Sequence, residues 1–320
     1  MISIVVPIHN ETEMLAELHR RLTTVLAELA PYEVVLVDDG STDDSWERML
    51  AVAAGDRHVR LLRLSRNFGH QAALTAGIDA ARGEAVVVMD GDLQDPPELI
   101  PTFVAKWREG FDVVYGLRTR REGETQFKRW TASLFYRLLR SMTRVDIPAD
   151  AGDFRLLSRR ALDALSRMPE RARFLRGTTS WVGFRQVGVQ YERDARYAGE
   201  TKYPARRMIR FALDAITSFS TTPIQVVTSL GFVLVVFCAG VFAWTVYVKL
   251  FTDSAVAGWT SVLGVVLLLG GMQLVALGII GQYVARIFEE AKQRPLYLVA
   301  ETVEGGALTS AETQTTSTVA

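Results

Sequence analysis

From Ile224 to Tyr283 the chain carries formal charge only at Lys249 and Asp253, a composition suited to lipid rather than water. Within it, Ile224 to Tyr247 and Val262 to Tyr283 would each span roughly 33 to 36 Å as helix, enough for a hydrocarbon core of about 30 Å. Each Leu, Ile, Val or Phe favours insertion by only about 0.3–0.6 kcal/mol, but the apolar residues far outnumber the polar ones. The alternative is a helical hairpin buried in a soluble core. The connection "KLFTDSAVAGWT" has little positive charge, whereas Arg206, Arg207 and Arg210 precede the pair and Arg286, Lys292 and Arg294 follow it. An excess of basic residues marks the cytoplasmic side, so both flanks are expected there, with Trp244, Tyr247 and Trp259 at the far interface.

The first 220 residues have a different character. "ISIVV", "EVVLVDD", "VRLLRLS", "EAVVVMD" and "FDVVYG" are short β-branched runs separated by stretches with helical spacing. That alternation predicts an α/β domain over 1–200 with a mainly parallel sheet. Between the first two runs, Met14, Leu15, Leu18, Leu22, Val25, Leu26 and Leu29 recur every three or four residues, one covering face of a helix. Ser41 is the expected N-cap of the next helix. Residues 201–222 are basic and amphipathic, which fits either a helix on a membrane surface or one that closes the domain. Residues 286–320 are expected to be a cytoplasmic segment whose end, "GGALTSAETQTTSTVA", is poor in bulky apolar residues and reads as disordered.

Bulk charge and cysteine usage exclude several classes. The 36 basic and 36 acidic residues cancel, so nothing points to nucleic acid. Cys238, the only cysteine, rules out an internal disulfide and a cysteine-based metal site. "MISIVVPIHNE" lacks a basic n-region and reads as a strand rather than a secretion signal, so the large domain is expected in the cytoplasm.

In open sheets ligands gather at the carboxyl ends of the strands, and the chemical-looking residues fall there: His9 to Glu11, Asp38 to Ser41, and Asp90 to Asp95. "VVVMDGDLQD" could close an ATPase strand, but neither G-x-x-x-x-G-K-[ST] nor G-x-G-x-x-G occurs anywhere in the chain. Asp90, Asp92 and Gln94 offer oxygen ligands, which suit a hard divalent cation, Mg²⁺ or Mn²⁺, held together with substrate phosphates. Gly91 would let the backbone approach. Alone, Asp-Gly is as often only a turn. His9 and His70 also suggest ligands, though ordinary polar packing accounts for them as well.

The company of the motif is more specific. "VVPIHNE", "VDDGSTDDS", "RNFGHQAALTAG" and "MDGDLQDPPE", in that order, resemble the inverting GT-A glycosyltransferases that use nucleotide sugars. "GDFRLLSRRAL", "RYAGETKYPARRM", the paired apolar segments and "GQYVARIFEEAKQRPLYLV" extend the resemblance over the whole chain, to the polyprenyl-phosphate glycosyltransferases of bacterial, two-span type. The resemblance implies a nucleoside pocket lined by Pro7, Asn10, Glu11 and Asp39. It places Asp90 by the ribose and diphosphate, with Asp92 and Gln94 on the metal. Asp153 matches the acid usually named as catalytic base. A lipid phosphate has its second pKa near ~6 and is already ionised at neutral pH, so Asp153 could instead orient the acceptor or hold a neighbour such as Arg155.

Arg118, Arg129 and Ser133 match the positions that cradle the lipid phosphate, and Arg196 and Lys202 a loop that closes over the donor diphosphate. "QFKRW" at 126–130 also matches a string of processive polysaccharide synthases. There, however, it follows the third acid, whereas here it precedes Asp153. The resemblance implies transfer of one sugar, glucose from UDP-glucose as first choice, to undecaprenyl phosphate at the plasma membrane. Both termini would lie in the cytoplasm, and a homo-oligomer stays open. Two other readings remain: a nucleotidyltransferase that makes activated sugars, and a non-catalytic membrane sensor or carrier subunit.

Overall fold

The structure, a computed structural model, describes residues 1–118, 151–168, 170, 175–192, 222–251, 259–305 and 307–310. The β-branched runs form β1 (Ile2–Ile8), β2 (Tyr32–Asp38), β3 (Val59–Leu64) and β4 (Ala85–Val88). β1 pairs in parallel with β2 and β4, and β2 with β3. These strands are buried almost throughout because both faces are covered, so successive apolar side chains serve opposite cores. Ile4, Val6 and Ile8 join Leu18, Leu22, Met49 and Phe103 on one side, while Val5, Val35 and Val37 join Leu74, Ala76 and Leu162 on the other.

Helices α1 (Leu15–Leu26), α2 (Ser45–Gly55) and α3 (His70–Ala80) make the crossovers. The expected face of α1 is the buried one, through Leu15, Leu18, Leu22 and Leu26. α2 starts later than expected, at Ser45 with Asp44 in the cap position and no side-chain cap. Ser41 does not cap it; its Oγ accepts a hydrogen bond from the Asn10 amide at 3.1 Å.

After α4 (Ile100–Arg108) the chain enters β5 (Val113–Arg118), then β6 (Ala151–Ser158), α5 (Arg159–Ser166), α6 (Leu175–Trp181) and β7 (Gln186–Tyr191). β6 runs antiparallel between β4 and β5, so its beginning lies at the sheet edge where the parallel strands end. Two long helices follow, α7 (Thr222–Phe251) and α8 (Trp259–Ala291). The segments expected at 224–247 and 262–283 lie inside them. Among the described residues one stretch, Leu269–Ala291, is long and apolar enough to cross a membrane, with Val227–Val241 a shorter apolar run.

The chain then supplies β8 (Val299–Glu304), antiparallel to β3, and β9 (Ala307–Ser310), antiparallel to β8. The sheet order among the described strands is β7-β5-β6-β4-β1-β2-β3-β8-β9. This corrects the expectation that residues 305 onward are disordered: Ala307–Ser310 are a strand, and 311–320 lie outside the described residues. It also moves a boundary, because Arg294–Ala320 belong with Met1–Pro204 in one unit and Ala205–Gln293 form the other.

Candidate active site

The ends of β1 to β4 and the start of β6 meet at one edge of the sheet. Val88 pairs with Arg155 in the antiparallel register, so two residues farther on, Asp90 and Asp153 come level. His70, the first residue of α3, completes the group. Its Nε2 lies 3.4 Å from Asp90 Oδ1 and 3.5 Å from Asp153 Oδ2. Arg176, on α6, donates Nε to Asp153 Oδ1 at 2.7 Å and Nη2 to Oδ2 at 3.2 Å.

The two carboxylates are driven apart electrostatically. Burial, reinforced by Asp95, Asp153 and Asp92 against the opposing His70, pushes Asp90 up to about 6. Burial acts on Asp153 in the same sense, but His70 and Arg176 outweigh it and hold that carboxyl far below the usual range. His70 is raised in turn, because Asp153 and Asp90 overcome its desolvation.

The turn after β4 follows the spacing of its residues. A Cβ on Gly91 would lie 2.8 Å from Ile8 Cδ1 and 3.2 Å from the Pro7 carbonyl oxygen, so only glycine lets this backbone lie against the end of β1. Leu93 is left-handed, with φ 57°, and the Gln94 amide donates to Asp92 Oδ1 at 3.1 Å. Asp92 thus forms the turn as well as offering oxygen atoms. Among the described residues no hydrogen-bond donor satisfies the buried Asp90 Oδ1, to which only the His70 imidazole comes near, at 3.4 Å. A buried carboxylate oxygen with no hydrogen bond from the described residues, with Asp92 and Gln94 close in sequence, fits a hard divalent cation. His70, Asp90 and Asp153 also bring ligand atoms within 4.8 Å of one another. Arg176 engages both oxygens of Asp153, which leaves Asp90 as the carboxylate of that trio suited to a metal.

On the β1–β3 side the turns are laced together. Asn10, left-handed at φ 57°, accepts the Thr42 amide on Oδ1 at 2.8 Å, and the Glu11 amide donates to Ser45 Oγ at 3.0 Å. The Asp39 carboxylate accepts the Phe68 and Gly69 amides at 2.7 and 3.0 Å. It is therefore committed to holding the turn before α3, although a carboxylate with about four acceptor positions keeps capacity for a ligand. Burial raises it despite these amides. Asp38 closes its own turn by accepting the Ser41 amide at 3.0 Å. His9 donates Nδ1–H to the Asp39 carbonyl at 3.0 Å and accepts from Asn67 Nδ2 at 3.1 Å through Nε2. The two histidines therefore make no joint site.

Arg118, at the end of β5, is anchored from behind. Its Nε donates to Tyr191 Oη at 3.2 Å, the Tyr191 hydroxyl donates to Asp95 Oδ1, and Arg118 Nη2 is 3.7 Å from the same oxygen. Burial and the adjacent Asp95 raise the Tyr191 hydroxyl well above its ordinary value. Asp95 is wholly buried and serves to hold Tyr191 and Arg118 rather than to face a ligand. Arg155 is not the residue that holds Asp153. It points inward, donating to the Gly152 carbonyl at 2.7 Å and to Thr179 Oγ1, and burial pulls it down to about 10. Sequence reading missed Arg176 and Tyr191. Neither stands in a motif, and both reach the site through tertiary packing. His70 did carry a signal, since it opens the helix that follows the third strand. Arg129, Ser133, Arg196 and Lys202 lie outside the described residues.

Residues 3–166 match the domain described as Glycosyl transferase family 2. An uncharacterized glycosyltransferase of Bacillus subtilis is 49% identical over 299 residues, covering 93% of this chain and 92% of that one. The prophage bactoprenol glucosyl transferase homolog of Escherichia coli K12 is 40% identical, covering 93% and 98%. Among solved structures, glucosyl-3-phosphoglycerate synthase from Mycobacterium tuberculosis with Mn²⁺ and UDP-glucose superposes with a TM-score of 0.46 at 20% identity, covering 68% of this chain and 77% of that chain.

Proposed function

The chain belongs to glycosyl transferase family 2, and on that premise we propose that it moves one sugar from a nucleotide diphosphate to the phosphate of a polyprenyl carrier. The transfer inverts the anomeric carbon, and UDP-glucose is the first-choice donor. Transfer to a lipid carrier follows the relatives named bactoprenol glucosyl transferase, which align over nearly their whole length. The observation that carries the reading is the opposition at one sheet edge of an acidic half, Asp90 and Asp92, to a half built around Asp153 with Arg118 and Arg176.

In the reaction an oxygen of the acceptor phosphate forms a bond to the anomeric carbon as that carbon's bond to the diphosphate breaks, and the nucleoside diphosphate departs with the electron pair. Asp90, Asp92 and Gln94 would hold a divalent cation, Mg²⁺ or Mn²⁺, which supplies charge neutralisation to the leaving diphosphate. Pro7, Asn10, Glu11 and Asp39 wall the nucleoside pocket at the β1 and β2 turns. Arg118, fixed by Tyr191 and Asp95, is assigned to the acceptor phosphate; by the family resemblance alone Arg129 and Ser133 join it in that role, and Arg196 and Lys202 are assigned to the donor diphosphate. Asp153, held far below the usual carboxylate range and bonded twice to Arg176, is a weak proton acceptor. An acceptor phosphate with its second pKa near ~6 needs none at neutral pH. The rate then comes from alignment and fixed charge.

Both apolar helices are assigned to the plasma membrane, with the catalytic domain and both termini cytoplasmic. Phe232, Phe237, Leu274 and Leu277, all well exposed, support that anchoring, as do the basic flanks.

The test uses the full chain in detergent with undecaprenyl phosphate, a panel of UDP- and GDP-sugars, and Mn²⁺ or Mg²⁺. The expected result is lipid-dependent release of nucleoside diphosphate with a glycolipid product, abolished by EDTA and by Asp92→Ala. Absence of release from every donor would overturn the reading. Pyrophosphate formed from a nucleoside triphosphate and a sugar phosphate would assign the chain to nucleotidyl transfer instead.

A further inference from the structure

The chain has four histidines, and His70 is the one that stands off its partners. His19 Nε2 and His58 Nδ1 each close on an Asp56 carboxylate oxygen at 2.9 Å, and His9 Nδ1 meets the Asp39 carbonyl at 3.0 Å. His70 Nε2 instead lies 3.4 Å from Asp90 Oδ1 and 3.5 Å from Asp153 Oδ2. Both distances exceed the roughly 2.7–3.2 Å of an ordinary N–H to oxygen bond. Neighbouring ligands of one octahedral ion, with bonds of about 2.1 Å, lie about 3 Å apart. The His70–Asp90 separation of 3.4 Å needs an angle at the ion only somewhat wider than a right angle.

The backbone aims this imidazole. His70 opens α3, and immediately before it the Asp39 carboxylate takes the Phe68 and Gly69 amides at 2.7 and 3.0 Å. Gly69, at φ 99°, turns the chain into the helix in a conformation that side chains rarely adopt. A pinned turn thus delivers the ring to the residues that follow β4, and 44% of its side chain stays exposed. Facing it, the buried Asp90 Oδ1 has no hydrogen bond from the described residues. A buried acceptor left unmet is costly, and a cation shared with the imidazole would remove that cost. Asp153, on the other side of the ring, already accepts Arg176 on both oxygens, so the place for an ion opens toward Asp90.

We propose that His70, through Nε2, is a ligand of the divalent cation beside Asp90, and that this nitrogen makes the site prefer Mn²⁺ to Mg²⁺. The assignment rests on the metal-assisted transfer proposed above and deepens it. Mg²⁺ favours oxygen ligands, whereas imidazole suits transition metals. One nitrogen among the oxygen atoms of Asp90, Asp92, Gln94 and the donor diphosphate therefore favours the softer ion. Coordination replaces the Nε2 proton, which leaves to solvent, and the imidazole binds as the neutral ring.

The experiment uses the tag-free full chain in detergent with UDP, comparing the wild type with His70→Gln and His70→Ala. Pulsed EPR of the Mn²⁺ complex reads directly whether an imidazole nitrogen is bound to the ion. Calorimetry measures Mn²⁺ and Mg²⁺ binding in the presence of UDP, and a cooperative thermal melt reports that each variant is folded. The wild type should show the nitrogen coupling of a coordinated imidazole, and both variants should lose it. Their Mn²⁺ affinity should fall by about tenfold or more, and their Mg²⁺ affinity by less, so that the preference for Mn²⁺ shrinks.

A wild-type spectrum without nitrogen coupling would overturn the assignment whatever the variants do. Coupling that survives in His70→Gln, or an equal loss of affinity for both ions, would overturn it too. The spectrum also separates this inference from the functional reading. If the wild type shows the coupling yet transfers no sugar, only the reading fails. If it transfers sugar with Mn²⁺ and shows no coupling, only the His70 assignment fails.

Discussion

Tyr191→Phe removes one oxygen atom and tests whether Arg118 is held from behind. That hydroxyl donates to Asp95 Oδ1 and accepts from Arg118 Nε at 3.2 Å. Phenylalanine keeps the ring, which packs edge-on against Phe154 at 6.0 Å, so the hydrophobic contact survives and the polar loss is isolated. Asp95 is wholly buried, and water cannot easily replace the lost donor. Withdrawing a hydrogen bond from a buried carboxylate costs about 1–3 kcal/mol. For a domain of this size about 1 kcal/mol corresponds to roughly 2–4 °C in Tm, so a drop of about 2–12 °C is expected. Thermal unfolding of the catalytic domain, followed by a dye that binds exposed apolar surface, measures it. Because Arg118 is also freed to change rotamer, the same variant should raise the KM for the lipid phosphate and leave that for the nucleotide sugar unchanged. An unshifted Tm together with an unchanged acceptor KM would refute the argument that this hydroxyl couples the buried acid to the binding arginine.

Two further outcomes concern the frame that carries the site. Glu33 is buried among the Ser3 hydroxyl, the Arg82 amide and the Arg60 guanidinium, at 2.5, 2.6 and 2.9 Å. Burial alone would raise its pKa, but these partners outweigh it and hold the carboxyl below its ordinary 4.5. Its stabilisation is therefore complete above about pH 4.5 and is lost as the pH falls through the lower folded-state value. Wild-type Tm should fall on acidification through that range, and Glu33→Gln should start lower at neutral pH and respond less. Deleting residues 299–310 would uncover the edge of β3 and remove buried Val303 and the Arg63–Glu301 and Arg82–Glu304 ion pairs. The shortened protein should lose monodispersity in size-exclusion chromatography, since an uncovered strand edge invites association; unchanged behaviour would show that β8 contributes nothing to the sheet.

How much of this was legible depended on whether a residue acts along the chain or across it. The central strands and the buried face of α1 could be read because a β-branched run or a spacing of three to four residues is itself the cause of the element. Gly91 was legible for a similar reason, since a turn that must lie against the Pro7 carbonyl tolerates only glycine. Strand β8 was missed because "VAETVE" is polar and buries little beyond Val303. Its specification lies opposite it, in Arg60 and Arg63, which meet Glu304 and Glu301 in the antiparallel register. Complementary charges far apart in sequence are evidence of pairing only once the partner strand is known. The partner of Asp153 failed in the same way. Arg155 was the nearby candidate, but adjacent positions on a strand point to opposite sides only when one residue apart, and here residues 153 and 155 share a face yet differ in burial partners. Arg155 is drawn under α6 by Thr179 and Leu175, and that helix then delivers Arg176 to Asp153 from the other end. The identity of the arginine at the third acid is thus set by the docking of one short helix, a packing decision that no local spacing encodes.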